Sequence, residues 1–430
     1  MGRLAGTAAA AVAALLASAD SSAVQLPALD ALWQPPNHSV DLPQRAWLGG
    51  DSDWSIPLGN GSSLWLFGDT LVGPWNARLN QRVAAGAAMP HGTLARVDAD
   101  AKSGAVRATK FWNSSSQEAV PTAWFVPNPK SVPGGGNDFL WTTAGVALPG
   151  NGPPGLAILC PRVRASSKAP GPFAFQVVRT TVVHVPNASG HPREWEYSTC
   201  DLPGTGSDAG LFWHTAAWLG TEPGIAASGL DGVVSLLGQT SSAAVLLRLP
   251  LDSLLQCVFD GGSVWASGGR GWVPLGPSPS PPRAEDLAPV FEPAESEATI
   301  APRPPCAGGG FFSMWIPFGS ARVRVRVAAS PTGPWAEDAS AGFSLPFPAN
   351  DTARFFSYAA KAHSGMGAAH EGPCGSVVSV VTNAFNGTAL FDPGMGRRLY
   401  VPTMWRIEWA RAGPGGASAR RAQGSLPAPP

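Results

Sequence analysis

Residues Gly50–Gly73 read G-D-S-D-W-S-I-P-L-G-N-G-S-S-L-W-L-F-G-D-T-L-V-G, a pattern that the rest of the chain repeats. Two apolar runs, Trp54 to Leu58 and Leu64 to Phe67, flank Gly59-Asn60-Gly61. Asn-Gly between strand-like runs signals a hairpin, because both residues tolerate positive φ. A two-residue turn at Asn60-Gly61 places Gly59 opposite Ser62 and Asp51 opposite Thr70. Asp51, Asp53 and Asp69 then gather at the open end, with Asp69 on the opposite pleat from Asp51. Leu64-Trp65-Leu66-Phe67 is apolar on both alternating faces, as expected of a strand covered on both sides.

The same plan recurs along the chain. A-W-F-V-P near Ala123 is followed by D-F-L-W-T-T-A-G-V up to Val146. F-W-H-T-A-A-W-L from Phe212 is followed by G-V-V-S-L-L-G ending at Gly238. E-S-E-A-T-I-A-P from Glu295 is followed by F-F-S-M-W-I ending at Ile316, and F-F-S-Y-A-A-K-A-H from Phe355 by S-V-V-S-V-V-T ending at Thr382. Further runs, Phe173 to Val185, Ala243 to Leu249 and Ala321 to Ala328, supply outer strands. Each small meander is unable to bury both its faces alone, so the expected architecture is an all-β, five-bladed β-propeller. A two-domain β-sandwich is the alternative. The run Leu399 to Trp409 is expected to close the ring with a segment near Leu32 and Trp33, the propeller occupying about residues 45–411 after an N-terminal segment 20–44. Residues 277–294 read as loop and 412–430 as tail.

Composition agrees with a folded β-rich chain of 430 residues. Gly 51 and Pro 44 are high, yet hydrophobic content is 44% and there are 17 Trp, too rich for disorder. Net charge is zero with 13% charged residues, so no basic field favours nucleic acid or an anionic membrane. The first residues combine Arg3, an apolar run and Ala17-Ser18-Ala19, which reads as a secretory signal cleaved after Ala19. Asn-x-Ser/Thr sequons at Asn37, Asn60, Asn113, Asn187, Asn350 and Asn386 agree with secretion. No later run reads as a membrane anchor. Five widely spaced Cys are expected to give two disulfides and one remaining thiol, with the pairing open. A monomer is expected.

Two repeats share chemistry as well as shape. D-S-D-W-S-I aligns with E-S-E-A-T-I, matching Asp51 with Glu295 and Asp53 with Glu297. The first strand of a propeller blade lines the central channel, so two blades would aim carboxylates into one depression. Crowded carboxylates raise at least one pKa, and a raised acid facing an ionised one suits glycoside hydrolysis.

W-L-F-G-D-T (Trp65–Thr70), preceded by G-D-x-x-W-S-I-P-L, resembles a family of secreted five-bladed propellers long catalogued as a domain of unknown function. Y-A-A-K-A-H (Tyr358–His363) and S-P-T-G-P-W (Ser330–Trp335) strengthen the likeness, which covers about residues 45–410. The wider group is similar to five-bladed glycosidases, including arabinan-degrading enzymes and D-arabinan endo-hydrolases. The resemblance implies functional roles for Asp51, Asp69, Glu297, Lys361 and His363. The chain departs from the pattern at V-P-N-P-K-S-V-P-G-G-G in the second blade and in the loop after His363.

The expected site follows. Asp51 is the candidate nucleophile or base, Glu297 the general acid, and Asp69 an orienting carboxylate. Trp54 is a candidate sugar platform, and Asp53, Lys361, His363 and His214 are candidate substrate-binding groups. Glu295 reads as a solvated loop residue. No cofactor is expected; calcium in the channel has no identifiable ligand run. The expected partner is a polysaccharide or glycan, with a non-catalytic binding propeller as the alternative function.

Overall fold

The computed structural model describes residues 23–35, 37–38, 45–59, 61–100, 105–113, 121–132, 135–149, 154–166, 174–220, 232–276, 280–295 and 297–412. The expected signal, Asn60 of the expected hairpin turn, Ser296 and the expected tail beyond 412 lie outside these residues. Five antiparallel sheets form a ring, a five-bladed β-propeller. Blade 1 runs outward from Trp54–Gly59 through Ser62–Phe67 and Thr93–Ala99 to Val106–Phe111. Blade 2 runs from Ala144–Leu148 through Gly155–Ala165 and Phe175–Val185 to Ser198–Leu202, and blade 3 from Phe212–Leu219 outward to Gly271–Pro274. Blade 4 begins at the two-residue Ala301–Pro302 and continues through Phe311–Trp315 and Arg322–Ala328. Blade 5 contains Phe355–His363, Gly375–Ala384 and Pro402–Glu408.

The outermost strand of blade 5 comes from the other end of the chain. Ala23–Gln25 pairs antiparallel with Pro402–Glu408, Ala23 opposite Ile407. The closing segment is therefore Ala23–Gln25 and not the expected Leu32–Trp33. Those two residues belong to a short helix, Pro27–Trp33, whose Leu29 and Trp33 are buried. Trp33 packs against Trp65, ring centroids 4.7 Å apart, so the helix plugs the edge of blade 1.

Apolar residues recur at every second position where one face is covered and fill both positions where two blades sandwich a strand. Ser62–Phe67 is the clearest case, with every residue after Ser62 buried. The inner strand Ala144–Leu148 packs against those of blades 1 and 3, which fuses three blades into one core. A-W-F-V-P is buried at Trp124 and Phe125 but forms no strand. Pro-bounded and short, it packs as an apolar plug, and blade 2 starts one segment later than the sequence suggested.

Two disulfides join segments distant in sequence, Cys200–Cys257 and Cys306–Cys374, leaving Cys160 as a buried thiol. A small extra sheet, Asn37–His38, Ala46–Gly50 and Thr70–Gly73, lies against the loops of blade 5. Arg82 is buried beside it and donates to the carbonyls of Leu48, Leu390 (3.1 Å) and Leu399 (2.7 Å). Truncating a buried cation that serves three carbonyls leaves acceptors unpaired, at a cost of about 1–3 kcal/mol each. This clamp fixes Ala46–Gly50, the strand that delivers Asp51.

Candidate active site

The blade 1 hairpin sets the site through its register. Trp54 pairs with Leu66 and Pro57 with Ser63, but Gly59 pairs with Ser62, so a bulge at Leu58 shifts the ladder by one residue. The expected pairing of Asp51 with Thr70 is thereby corrected. The Asp51 amide instead donates to the Asp69 carbonyl at 3.2 Å, and the Gly68 amide to the Asp51 carbonyl at 3.0 Å. Asp69 is opposite Asp51, not on the other pleat.

The backbone then kinks. Ser52 and Asp53 have φ of 72° and 38°, a left-handed pair in non-glycine residues. The kink aims the Asp51 carboxylate into a well at the channel mouth and drops Asp53 beneath it. It also exposes the Ser52 amide, which donates to the Glu297 carboxylate arriving from blade 4. Gly68 is required here for space: a Cβ would sit 2.8 Å from Asp51 Oδ1.

Asp51, Asp69 and Glu297 keep partial exposure, whereas Asp53 and Lys361 have none. The site therefore has two tiers. In the upper tier, Tyr358 donates its hydroxyl to Asp51 Oδ2 at 2.9 Å. The Tyr400 hydroxyl lies 3.2 Å from the same oxygen and 2.8 Å from the Asp69 carbonyl, and donates to one at a time. Burial first, then the negative charges of Glu297 and Asp69, hold the Asp51 carboxyl well above the ordinary range, against the pull of the two tyrosines. Burial also lifts Glu297, but the Lys361 charge and the Ser52 amide oppose that lift.

In the lower tier the Lys361 ammonium is buried with no hydrogen-bond partner among the described residues, 5.5 Å from the Trp54 ring centroid. Burial lowers its pKa, while Glu297, Asp53 and Asp51 raise it. Asp53 is pushed up to about 7, chiefly by burial, with Ser379 and Lys361 pulling the other way. His214, from the inner strand of blade 3, is driven down to about 3 by burial and by the Lys361 charge. Carboxyls from blades 1 and 4 thus share one electrostatic well over a lysine from blade 5.

Three sequence expectations change. Trp54 is 8% exposed, and its Nε1 donates to the Gly145 carbonyl of blade 2 at 3.1 Å. Its ring seals the blade 1–blade 2 seam and offers no face to a sugar. His363 does share a strand face with Lys361, but its ring nitrogens lie 2.9 Å from Ser55 Oγ and 2.7 Å from Ser379 Oγ. It stacks on Trp65, centroids 4.1 Å apart, and burial with Lys361 repulsion lowers it to about 3. It is a neutral post between blades 5 and 1 and touches no carboxylate of the well. Glu295 is half-buried, not solvated; burial lifts it to about 7 against the attraction of Arg326.

Sequence reasoning missed three contributors. Tyr400 falls at the start of the run Leu399 to Trp409 read as a strand, but the strand begins only at Pro402, and Tyr400 lies in the connection before it. His91 Nδ1 sits 2.7 Å from Asp69 Oδ1, and Trp141 Nε1 donates to that same oxygen at 2.6 Å. His91 stacks on Phe139 with centroids 3.6 Å apart. Trp141 falls within the quoted D-F-L-W-T-T, and its position just before an inner strand was the available signal. Among the described residues, no group of three or more His, Cys, Asp or Glu side chains is placed to hold a metal ion. No helix among them is long and apolar enough to cross a membrane.

No protein-family model matches the chain, and no curated protein matches it by sequence. Among solved structures it is similar to a protein from Bacteroides ovatus ATCC 8483 provisionally described as a hydrolase, with TM-score 0.62 and 14% identity over 94% of this chain and 93% of that one. A glycoside hydrolase family 43 arabinoxylan arabinofuranohydrolase from Bacillus subtilis matches with TM-score 0.40 and 12% identity, covering 85% of this chain and 63% of that one. A family 43 enzyme from Xanthomonas citri complexed with xylose gives TM-score 0.39 and 12% identity over 88% and 91%. The first likeness concerns the fold, and the other two are too distant to carry an argument.

Proposed function

We propose that this protein hydrolyses a glycosidic bond in a polysaccharide, with arabinan-type chains the first to test. The observation that carries the reading is the convergence of Asp51 and Glu297, delivered by different blades to one partly open well, with the amide of Ser52, next to Asp51 in the chain, bonded to the Glu297 carboxylate. Two carboxyls that cannot both ionise freely hold one proton between them, which provides an acid and a base in one site. The sequence suggested Asp51 as base and Glu297 as acid. The charges favour the reverse in the resting site: Lys361 and the Ser52 amide stabilise the Glu297 anion, while burial and its anionic neighbours keep the proton on Asp51.

In this reading Asp51 protonates the departing glycosidic oxygen, and Glu297 either takes a proton from the water that attacks the anomeric carbon or attacks that carbon itself, water then releasing the glycosyl-enzyme. Asp69, held in place by His91 and Trp141, stands beside Asp51 and contributes to its raised pKa. Lys361, Asp53 and His214 act from below as a fixed electrostatic floor. Action outside the cell fits the leader-like N-terminus and the two disulfides.

The test is reducing-sugar release from arabinan, galactan and xylan by wild type, Asp51→Asn and Glu297→Gln. Release that both variants lose by at least a hundredfold supports the proposal. Equal release by wild type and Asp51→Asn removes Asp51 from the chemistry, and binding without release by wild type leaves a glycan-binding propeller.

A further inference from the structure

The carboxylate well marks one face of the ring, the face where inner strands begin. Asp51 precedes the inner strand of blade 1 and Glu297 that of blade 4. In an antiparallel blade the connection after the second strand returns to this same face. Phe318 lies in that connection of blade 4, between Phe311–Trp315 and Arg322–Ala328, and Phe385 immediately follows Gly375–Ala384 of blade 5. They are 77% and 40% exposed, Phe318 the most exposed large apolar side chain among the described residues.

These rings are not scattered. Phe318 and Phe385 lie 6.0 Å apart, Phe385 and Phe356 4.9 Å, and Phe356 stacks on Tyr358 at 5.4 Å with planes 23° apart. Tyr358 in turn bonds Asp51. A continuous aromatic path therefore runs from solvent to the candidate acid. On the far side of the carboxylates, Asp69 is held by Trp141, whose ring meets Phe175 at 4.7 Å, beside the His91–Phe139 stack. The well thus has an aromatic wall on the blade 4–5 side and another on the blade 1–2 side.

We infer that the Phe318–Phe385–Phe356 ridge is a sugar-stacking subsite, which with the opposite wall holds a neutral polysaccharide chain across the carboxylates. The inference rests on the hydrolase reading for the direction of the chain, but its binding claim stands separately. Flat exposed rings suit the C–H faces of sugar rings. Charge selects among glycans: the well is lined by Asp51, Asp69 and Glu297, and its cation, Lys361, is fully buried. A uronate- or phosphate-bearing chain would meet like charge, and a neutral chain would not. The exposed members of the ridge, Phe385 and Phe318, stand two and three rings beyond Tyr358, too far from Asp51 to touch the sugar being cleaved, so they grip a neighbouring unit. Oligosaccharides too short to reach it gain nothing from it.

The test uses affinity gel electrophoresis in linear arabinan, galactan and xylan with Asp51→Asn, which binds without cutting, and with the same protein carrying Phe318→Ala and Phe385→Ala. Thermal melting controls for folding, which such exposed positions should leave intact. The expected result is retardation by at least one neutral polysaccharide, weakened tenfold or more by the two alanines and absent with polygalacturonate. Hydrolysis by the otherwise native Phe318→Ala/Phe385→Ala protein should fall on polymer and persist on a disaccharide. Binding that depends on the ridge without any hydrolysis by wild type supports the subsite and overturns the hydrolase reading. Hydrolysis or binding indifferent to both alanines, or no retardation by any of the three polymers, overturns the subsite. Loss of self-association in the alanine variant with glycan binding unchanged assigns the ridge to contact between copies and equally overturns it.

Discussion

Lys361 lies buried beneath Glu297 and level with Asp53, electrostatically tied to both and hydrogen-bonded to neither. An ammonium in that position lowers the pKa of both carboxyls. Lys361→Met removes the charge at similar length. The acidic limb of the pH–activity profile, set by the group that must be ionised, should move up by about one pH unit, since a near opposite charge lowers a carboxyl by about 1–3. A profile that stays in place while the rate falls would show that Lys361 only supports the fold.

Tyr358 and Tyr400 direct hydroxyls at Asp51, and such donors favour the ionised carboxylate. Tyr358→Phe should raise the Asp51 pKa further and extend the protonated form to higher pH. The alkaline limb should shift upward by roughly half a unit, and Tyr358→Phe/Tyr400→Phe should shift it more. The same profile read on wild type supplies the reference.

Gly68 gives the Asp51 carboxylate its room. A Cβ at this position would meet Oδ1 at 2.8 Å and the Ser52 Cβ at 3.5 Å. Gly68→Ala should lower kcat by about tenfold or more, since a sub-ångström displacement of a reacting group is costly. Circular dichroism and thermal melting should show the ring still formed.

Buried titratable groups make stability depend on pH with opposite signs. His363 is held down to about 3, so below about 6.5 the unfolded chain takes a proton that the folded ring refuses. Stability is lost as pH falls from about 6.5 to about 3, at most about 1.4 kcal/mol per unit for one group. Asp53, held up to about 7, acts in reverse. From about pH 4 to 7 the folded protein keeps a proton that the unfolded chain has released, so its contribution declines as pH rises and is flat above 7. Urea unfolding from pH 4 to 8 should therefore show a shallower acid loss in His363→Gln than in wild type. Asp53→Asn should show a steeper one, with less decline between pH 6 and 7.

Period and turn chemistry made most of the ring legible. Phe212–Leu219, Phe355–His363 and their partner strands stand where the alternating runs placed them, because each is sandwiched between neighbouring blades. The approach of acidic strand starts from blades 1 and 4 could be read from the repeat, but their matching could not: the alignment sets Asp51 against Glu295, whereas the carboxyl that acts on Asp51 is Glu297, because the left-handed pair at Ser52 and Asp53 offsets the blade 1 chain. The one-residue bulge at Leu58 was not, since either register satisfies a strand buried on both faces. Nor did Trp54 declare itself, because platform and seal differ only in what the next blade presents. His91 sits in a connection without periodicity and Tyr400 just ahead of a strand that the sequence extended over it, and only the folded chain brings them to Asp69 and Asp51.

The pairing of Ala23–Gln25 with Pro402–Glu408 has a practical corollary for anyone shortening the protein. A chain started at Arg45, where the sequence alone suggests the propeller begins, would retain every candidate active-site residue. It would also strip the last blade of its rim, leaving a row of unsatisfied amides and carbonyls as a template for stray association. Poor solubility of such a fragment would report a missing clasp, while saying nothing against the chemistry at the axis.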